Sequence, residues 1–242
     1  MRILIVSDLH ANLEAVSVLP ADYDQLWVLG DLVNYGPNPH EVIEFVWKNA
    51  SLVVRGNHDN AIGFDTDPRC SGPYKAMAVE MGRVTQTLIS EEERGYLRNL
   101  PLIFRTEVPG DRFHLCHATP TDPLFAYRPP ESAGWEEETR LVKPGYLLVG
   151  HTHLQFAREV NGRIIVNPGS VGQPKMGAPR AAFAIWEDGA LTLHSSPYDF
   201  EKTIEKIGRL DISTTVKMQL IEVLRNGTLP PAADGIDEKQ AK

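Results

Sequence analysis

Five short segments of this chain gather the side chains that bind metals and move protons. They are Asp8-Leu9-His10, Gly30-Asp31, Gly56-Asn57-His58-Asp59, His117 and Gly150-His151-Thr152-His153, each just after an apolar, strand-like run. Five of the eight histidines fall within them. In extended backbone, residues i and i+2 point to the same side about 6.5–7 Å apart, so Asp8/His10 and His151/His153 can each converge on one point or straddle two ions. Paired catalytic metals sit about 3.5–4 Å apart, a gap such pairs can span. Nitrogen and oxygen donors without thiolates suit two divalent transition-metal ions (Mn, Fe, Zn, Ni or Co) rather than a sulfur-rich zinc knuckle. Two such ions facing the carboxylates of Asp8 and Asp31 leave a local positive field able to hold a phosphate.

The ordered set resembles the calcineurin-like metallophosphoesterase superfamily, and the later Asn167-Pro168-Gly169-Ser170-Val171-Gly172 loop resembles its small prokaryotic phosphodiesterase branch. The resemblance implies a two-sheet αββα sandwich. It implies that Asp8, His10 and His153 bind one metal, that Asn57, His117 and His151 bind the other, and that Asp31 bridges both. The implied activity is binuclear, metal-dependent hydrolysis of a phosphoric ester. A hydroxide shared by the ions attacks phosphorus, and His58, the catalytic residue outside the ligand set, gives a proton to the leaving oxygen.

Protein serine/threonine phosphatases of the superfamily carry an Asp and an Arg after the Gly-Asp motif, where this chain has Asn34 and Tyr35. Without the Arg, a doubly charged phosphomonoester loses a bidentate partner. The expected substrate is therefore a small phosphodiester or phosphate ester, nucleotides included, with phosphodiesterase favoured over monoesterase. Asn34 and Arg55 are the candidate substrate-binding residues. A non-catalytic binding scaffold on the same fold is the alternative from another class, and His58 with every ligand position present argues against it. A protein phosphatase or a nuclease is the remaining alternative.

Those residues need a frame that brings strand ends together. Ile3–Val6, Gln25–Leu29 and Ser51–Val54 are short apolar runs suited to buried strands, and amphipathic helices alternate with them, which reads as α/β layering. Strand ends are where such folds collect binding residues. Asn12 is placed to cap a helix carrying Leu13, Val16 and Leu19. Asn38, Pro39 and Glu41 form a helix start with a capping box. Residues 61–101 read as a helical insert, with a second capping box at Ser90–Glu93. Further strands are expected at Phe113–Cys116, Tyr146–Val149, Arg163–Val166, Ala181–Trp186 and Leu191–His194. Two helices follow, the last running from a Ser213 cap to a Gly227 stop. One domain over residues 1–228 is expected, with 229–242 a flexible, Pro- and charge-rich tail.

Composition sets outer bounds. The 242 residues carry 24 Lys+Arg against 32 Asp+Glu, a net charge of −8, which disfavours a generic grip on nucleic-acid polymers. The longest apolar run, Ala181–Trp186, is far short of the ~20 residues a membrane span needs. Asp8 interrupts the amino-terminal run before a signal-peptide core could form. Only two cysteines, Cys70 and Cys116, fit a reducing, cytoplasmic setting. The remaining histidines read as solvent-facing (His40, His194) or as core (His114).

Overall fold

The computed structural model describes residues 1–228; the expected tail, 229–242, lies outside the described residues. Among the described residues ten strands run in chain order as β1 (Arg2–Val6), β2 (Gln25–Val28), β3 (Leu52–Val53), β4 (Ile103–Val108), β5 (Asp111–Cys116), β6 (Gly145–Leu148), β7 (Phe156–Val160), β8 (Arg163–Asn167), β9 (Arg180–Glu187) and β10 (Ala190–Pro197). The helices are α1 (Leu13–Val16), α2 (Pro39–Asn49), α3 (Asn57–Phe64), α4 (Pro73–Leu88), α5 (Glu91–Asn99), α6 (Trp135–Arg140), α7 (Phe200–Gly208) and α8 (Thr214–Asn226). The strands form two mixed five-stranded sheets, ordered β10-β9-β1-β2-β3 and β4-β5-β6-β8-β7.

The apolar runs owe their continuity to burial on both faces. In β1, Ile3 and Ile5 enter the core between the sheets with Phe113, Tyr146 and Trp186. Leu4 and Val6 point the other way, into a core shared with Val42, Ile43 and Val46 of α2. On the far side of the second sheet, Leu147 and Ile165 pack with Trp135 of α6. Helix, sheet, sheet and helix are thus four layers, the expected αββα sandwich. A further helical cluster joins Met77 and Met81 of α4 to Ile207 of α7 and Leu220 and Leu224 of α8.

Because β1, β2 and β3 are parallel, and β5, β6 and β8 likewise, their carboxyl ends emerge on one edge of the sandwich. The two sheets are tied there by Gly172 N–H donating to the Asp8 carbonyl at 2.9 Å.

Several local expectations need correction. The helix after Asn12 is a single turn that ends before Leu19, although Asn12 does cap it through Ala15 N–H. Asn38 makes no cap hydrogen bond; its side chain donates to Glu41 Oε1 at 3.0 Å and accepts from Lys206 Nζ at 2.9 Å. A helix not expected from the sequence, α3, begins at Asn57 inside the Gly56–Asp59 motif. The Ser90 capping box forms, as do the Ser213 cap and the left-handed Gly227 stop. Strands β4 and β7, absent from the expectation, are the edges of the second sheet. Their charged residues, alternate in β4 (Arg105, Glu107) and adjacent in β7 (Arg158, Glu159), hide them from a search for continuous apolar runs.

Candidate active site

The motif residues all lie at that edge. Asp8 and His10 follow β1, Asp31 follows β2, Asn57 and His58 open α3 after β3, His117 follows β5, and His151 and His153 follow β6. They fall into two adjacent groups. In the first, His153 Nε2 is 3.2 Å and His10 Nε2 3.9 Å from Asp8 Oδ1, and the two nitrogens are 3.2 Å apart. In the second, Asp31 Oδ2 lies 3.3 Å from His117 Nε2, and Asn57 Oδ1 lies 3.1 Å from both His117 Nε2 and His151 Nδ1. Asp31 Oδ2 is also 3.8 Å from His10 Nε2, so one carboxylate spans both groups.

The backbone reaches this arrangement by turning sharply. Asp8, His10, Asp31, His151 and His153 have φ of 55°, 45°, 55°, 64° and 62°, left-handed values that cost a non-glycine residue roughly 1–2 kcal/mol each. The i, i+2 pairs are therefore not extended. Asp8 and His10 still converge, whereas His151 and His153 split between the two groups. Gly56 permits close approach: a β-carbon there would stand 2.0 Å from Asp31 Oδ1. The Asp59 carboxylate accepts N–H from Asp31, Leu32 and Gly56 at 2.8, 2.8 and 2.9 Å, pinning the β2 turn to the start of α3. Asp59 belongs to a motif legible in sequence, but its part as a clamp was not.

Electrostatics show what the groups fit. His10, His117 and His153 direct Nδ1 to the carbonyls of Val33, Leu29 and Gln173 at 3.1, 2.7 and 2.7 Å. A carbonyl only accepts, so each Nδ1 carries hydrogen and, in the neutral ring, Nε2 presents a lone pair inward. Burial holds His10, His58 and His153 below the usual imidazole range and His151 down at about 3. Two lone pairs, on His10 and His153, then face each other across 3.2 Å, and Asp8 Oδ1 has no hydrogen-bond partner among the described residues. Burial disfavours charge on Asp8 and Asp31 too, but neighbouring imidazoles, His153 and His117 foremost, hold both carboxyls low. Burial opposes charge on His117 as well, and there the Asp31 and Asp8 carboxylates win, pushing it up to about 9. Converging acceptors and buried anions of this kind fit divalent cations.

His58 stands beside the groups, its Nε2 4.0 Å from Asp31 Oδ2. Asn34 fixes its tautomer. The amide oxygen accepts from Tyr35 N–H at 2.8 Å while Nδ2 donates to the Ala78 carbonyl at 3.1 Å, which sets the amide's orientation. Nδ2 therefore donates to His58 Nδ1 at 2.9 Å, and the ring proton resides on Nε2.

A cavity of about 490 Å³ opens over the site, its floor including Asp31, Asn57, His58, His151 and His153. Its walls come from the segment between α3 and α4 and the start of α4, through Arg69, Cys70 and Tyr74, and from the loop after β5, through Phe125 and Tyr127. The two residues expected to contact substrate are elsewhere. Asn34 is buried behind His58, and Arg55 donates to the Arg98 carbonyl at 2.6 Å and lies over the Phe64 ring, outside the cavity. Arg55 was the candidate to replace the missing phosphatase Arg, but the nearby carboxyl end of α5 captures it. The cations that do line the cavity are Arg69 and Lys175, neither within a motif read from the sequence.

The calcineurin-like phosphoesterase superfamily domain matches residues 1–188. A metallophosphoesterase structure from Sphaerobacter thermophilus is 30% identical and superposes with a TM-score of 0.76 over 91% of this chain and 99% of that one. A hypothetical protein structure from Pyrococcus horikoshii, 21% identical, shares the fold with a TM-score of 0.80 over 95% and 99% of the two chains. An uncharacterized protein of Methanocaldococcus jannaschii is 29% identical over 85% of this chain and 91% of its own. A symmetrical bis(5'-nucleosyl)-tetraphosphatase of Nitrosococcus oceani is 35% identical, but over only 51% of this chain and 43% of that protein. The chain belongs to the calcineurin-like phosphoesterase superfamily, a family of metal-dependent phosphoric ester hydrolases.

Proposed function

We propose that this protein is a binuclear metal-dependent phosphoesterase that hydrolyses a small phosphodiester or phosphate ester, with a nucleotide the favoured class. The observation that carries this reading is Asp31, whose Oδ2 reaches His117 Nε2 at 3.3 Å and His10 Nε2 at 3.8 Å and so links the two groups. In this reading Asp8, His10 and His153 hold one ion, Asn57, His117 and His151 the other, and Asp31 both. When bound, the divalent ions supply Lewis acidity, acidifying water and neutralising charge on the phosphoryl oxygens.

The protein's own groups do the rest. Backbone carbonyls keep three imidazoles in the tautomer that offers Nε2. Asn34 keeps the hydrogen of the neutral His58 ring on Nε2, from where it can donate a hydrogen bond to the leaving oxygen as the ester bond breaks, the proton that oxygen finally takes coming from water. The Nitrosococcus oceani relative, with a dinucleoside polyphosphate in its name, supports a nucleotide substrate. Asn34 and Tyr35, in place of the phosphatase Asp and Arg, support the diester over a phosphoprotein. We also take residues 1–228 as one domain with residues 61–101 as its insert, working in the cytoplasm, where the free Cys70 and Cys116 stay reduced.

The test is metal analysis of the purified protein together with turnover of bis(p-nitrophenyl) phosphate and p-nitrophenyl phosphate under Mn, Fe, Zn, Ni or Co. Bound metal and turnover of the diester ahead of the monoester are expected. Turnover of neither reporter with any ion overturns the proposal.

A further inference from the structure

The cavity holds positive charge that the candidate ligand set does not explain. Lys175 Nζ stands 4.5 Å from the centroid of the Tyr74 ring, and the Arg69 guanidinium carbon 4.2 Å from that of Phe125. Both side chains line the cavity above the metal groups. Among the described residues neither cation has a carboxylate oxygen within 4.0 Å, whereas Lys206, Arg209 and Arg225 are all paired. Nor does either side chain donate a hydrogen bond to a described residue. The ring contacts orient the cations at roughly 0.5–2 kcal/mol each, yet an ammonium keeps three donors and a guanidinium five.

Lys175 is half-buried and Arg69 exposed at the rim of the cavity. Lys175 leaves the loop after β8, whose Gly172 is bonded to Asp8, and burial lowers its basicity despite the opposing pull of Asp8 and Asp31. Arg69 is set by a left-handed backbone, φ 59°, and its N–H is held by Asp67 Oδ1 at 2.7 Å. A half-buried ammonium with no protein anion beside it is partly desolvated without compensation, and an anionic ligand offsets that cost.

We propose that Lys175 and Arg69 form a second anion subsite, so that the substrate carries at least one phosphate beyond the one attacked at the metal groups. The substrate class is then an oligophosphate ester rather than a singly charged diester. Exposed Tyr127, its ring 6.0 Å from that of His151, offers a flat wall to the base or aryl group of such a ligand. This subsite rests on the phosphoesterase reading for its neighbouring site, but its test does not rest on turnover.

The experiment is calorimetric binding of α,β-methylene-ADP and of AMP to Mn-loaded protein. Wild type, Lys175→Ala, Arg69→Ala and Lys175→Arg are compared, with Mn content and melting temperature measured in each. Wild type is expected to bind the diphosphate analogue more tightly than AMP. Each alanine variant should lose about 10–100-fold for the diphosphate and much less for AMP, the range expected for hydrogen bonds to charged groups. Lys175→Arg should keep most of the preference. Equal binding of the two nucleotides by wild type, or equal losses for both in the variants, overturns the subsite. The ratio is read whether or not the protein hydrolyses reporter esters. A phosphoesterase reading that fails in the turnover assay is thus distinguished from a subsite that fails here.

Discussion

At Gly150 the second sheet presses directly on the ligands of the first, and one added methyl group tests that contact. Its φ is not left-handed, so alanine meets no backbone penalty. The obstacle is steric: a β-carbon would stand 1.9 Å from Ser7 Oγ and 2.8 Å from Asp8 Oδ2. The segment cannot swing away, because Gly150 N–H donates to the His117 carbonyl at 2.7 Å and its own carbonyl accepts from Asn167 Nδ2 at 2.7 Å. Ser7 must therefore retreat by about 1 Å, and Asp8, which accepts His151 N–H at 3.2 Å, moves with it. Overpacking of this kind costs about 1–3 kcal/mol. In a chain of this size that lowers the melting temperature by about 2–4 °C per kcal/mol. Displacing a ligand or its support weakens metal binding by about 10–100-fold.

Thermal melts and equilibrium dialysis against Mn measure the two effects in Gly150→Ala. Ser7→Ala makes the test sharp, since Ser7 Oγ is buried and makes no hydrogen bond among the described residues. The double variant should regain most of the lost stability but only part of the Mn affinity, because the Asp8 contact persists. Wild-type melting and Mn binding in Gly150→Ala would refute the reasoning, and so would the absence of coupling between the two substitutions.

Three further outcomes follow from the same geometry. His58→Ala should lower turnover by about 10²–10⁴-fold with metal content unchanged, whereas metal loss would make His58 a ligand. In Asn34→Asp an acceptor replaces the donor opposite Nδ1, so nitrogen NMR should find the neutral-ring proton on Nδ1 in the variant and on Nε2 in wild type; Nδ1-H in wild type would contradict the assigned amide orientation. Chelated protein should be most stable near pH 6.5. Below it, the unfolded histidines take protons that buried His10, His58, His151 and His153 refuse, so stability falls with pH. Above it, His117, folded pKa about 9, keeps a proton the unfolded chain has released, so its stabilisation is lost as pH rises toward 9. A melting temperature that climbs steadily from pH 6.5 to 9 would be the contrary result.

Local chemistry carried most of what the sequence disclosed. Runs such as Ile3–Val6 announce doubly buried strands and the polar motifs at their ends announce a shared edge; the family resemblance then named seven of those residues as ligands beside His58, and the fold brings all eight together. What escaped depends on tertiary neighbours. The charged faces of β4 and β7 make sense only once each is known to be an edge. Arg55 sits in the right motif, yet the Arg98 carbonyl and Phe64 ring that capture it lie on other elements. Lys175 and Arg69 carry no motif at all, and only the cavity gives them a role. The left-handed turns at Asp8 and His151 were likewise hidden, since non-glycine residues rarely signal positive φ.

The division of the candidate ligands between sheets has a consequence for assembly. Asp8 and His10 come from the first sheet and His153 from the second, while Asp31 and Asn57 come from the first and His117 and His151 from the second. Each candidate ion would draw ligands from both halves of the sandwich, so full coordination would wait until the halves have docked. Each ion would then act as a rivet through the fold, adding about 2.7 kcal/mol when free metal is a hundred times its dissociation constant. Metal uptake during refolding would clock the final closure of the molecule, and a chain stalled before that step would leave the cell's metal pool untouched.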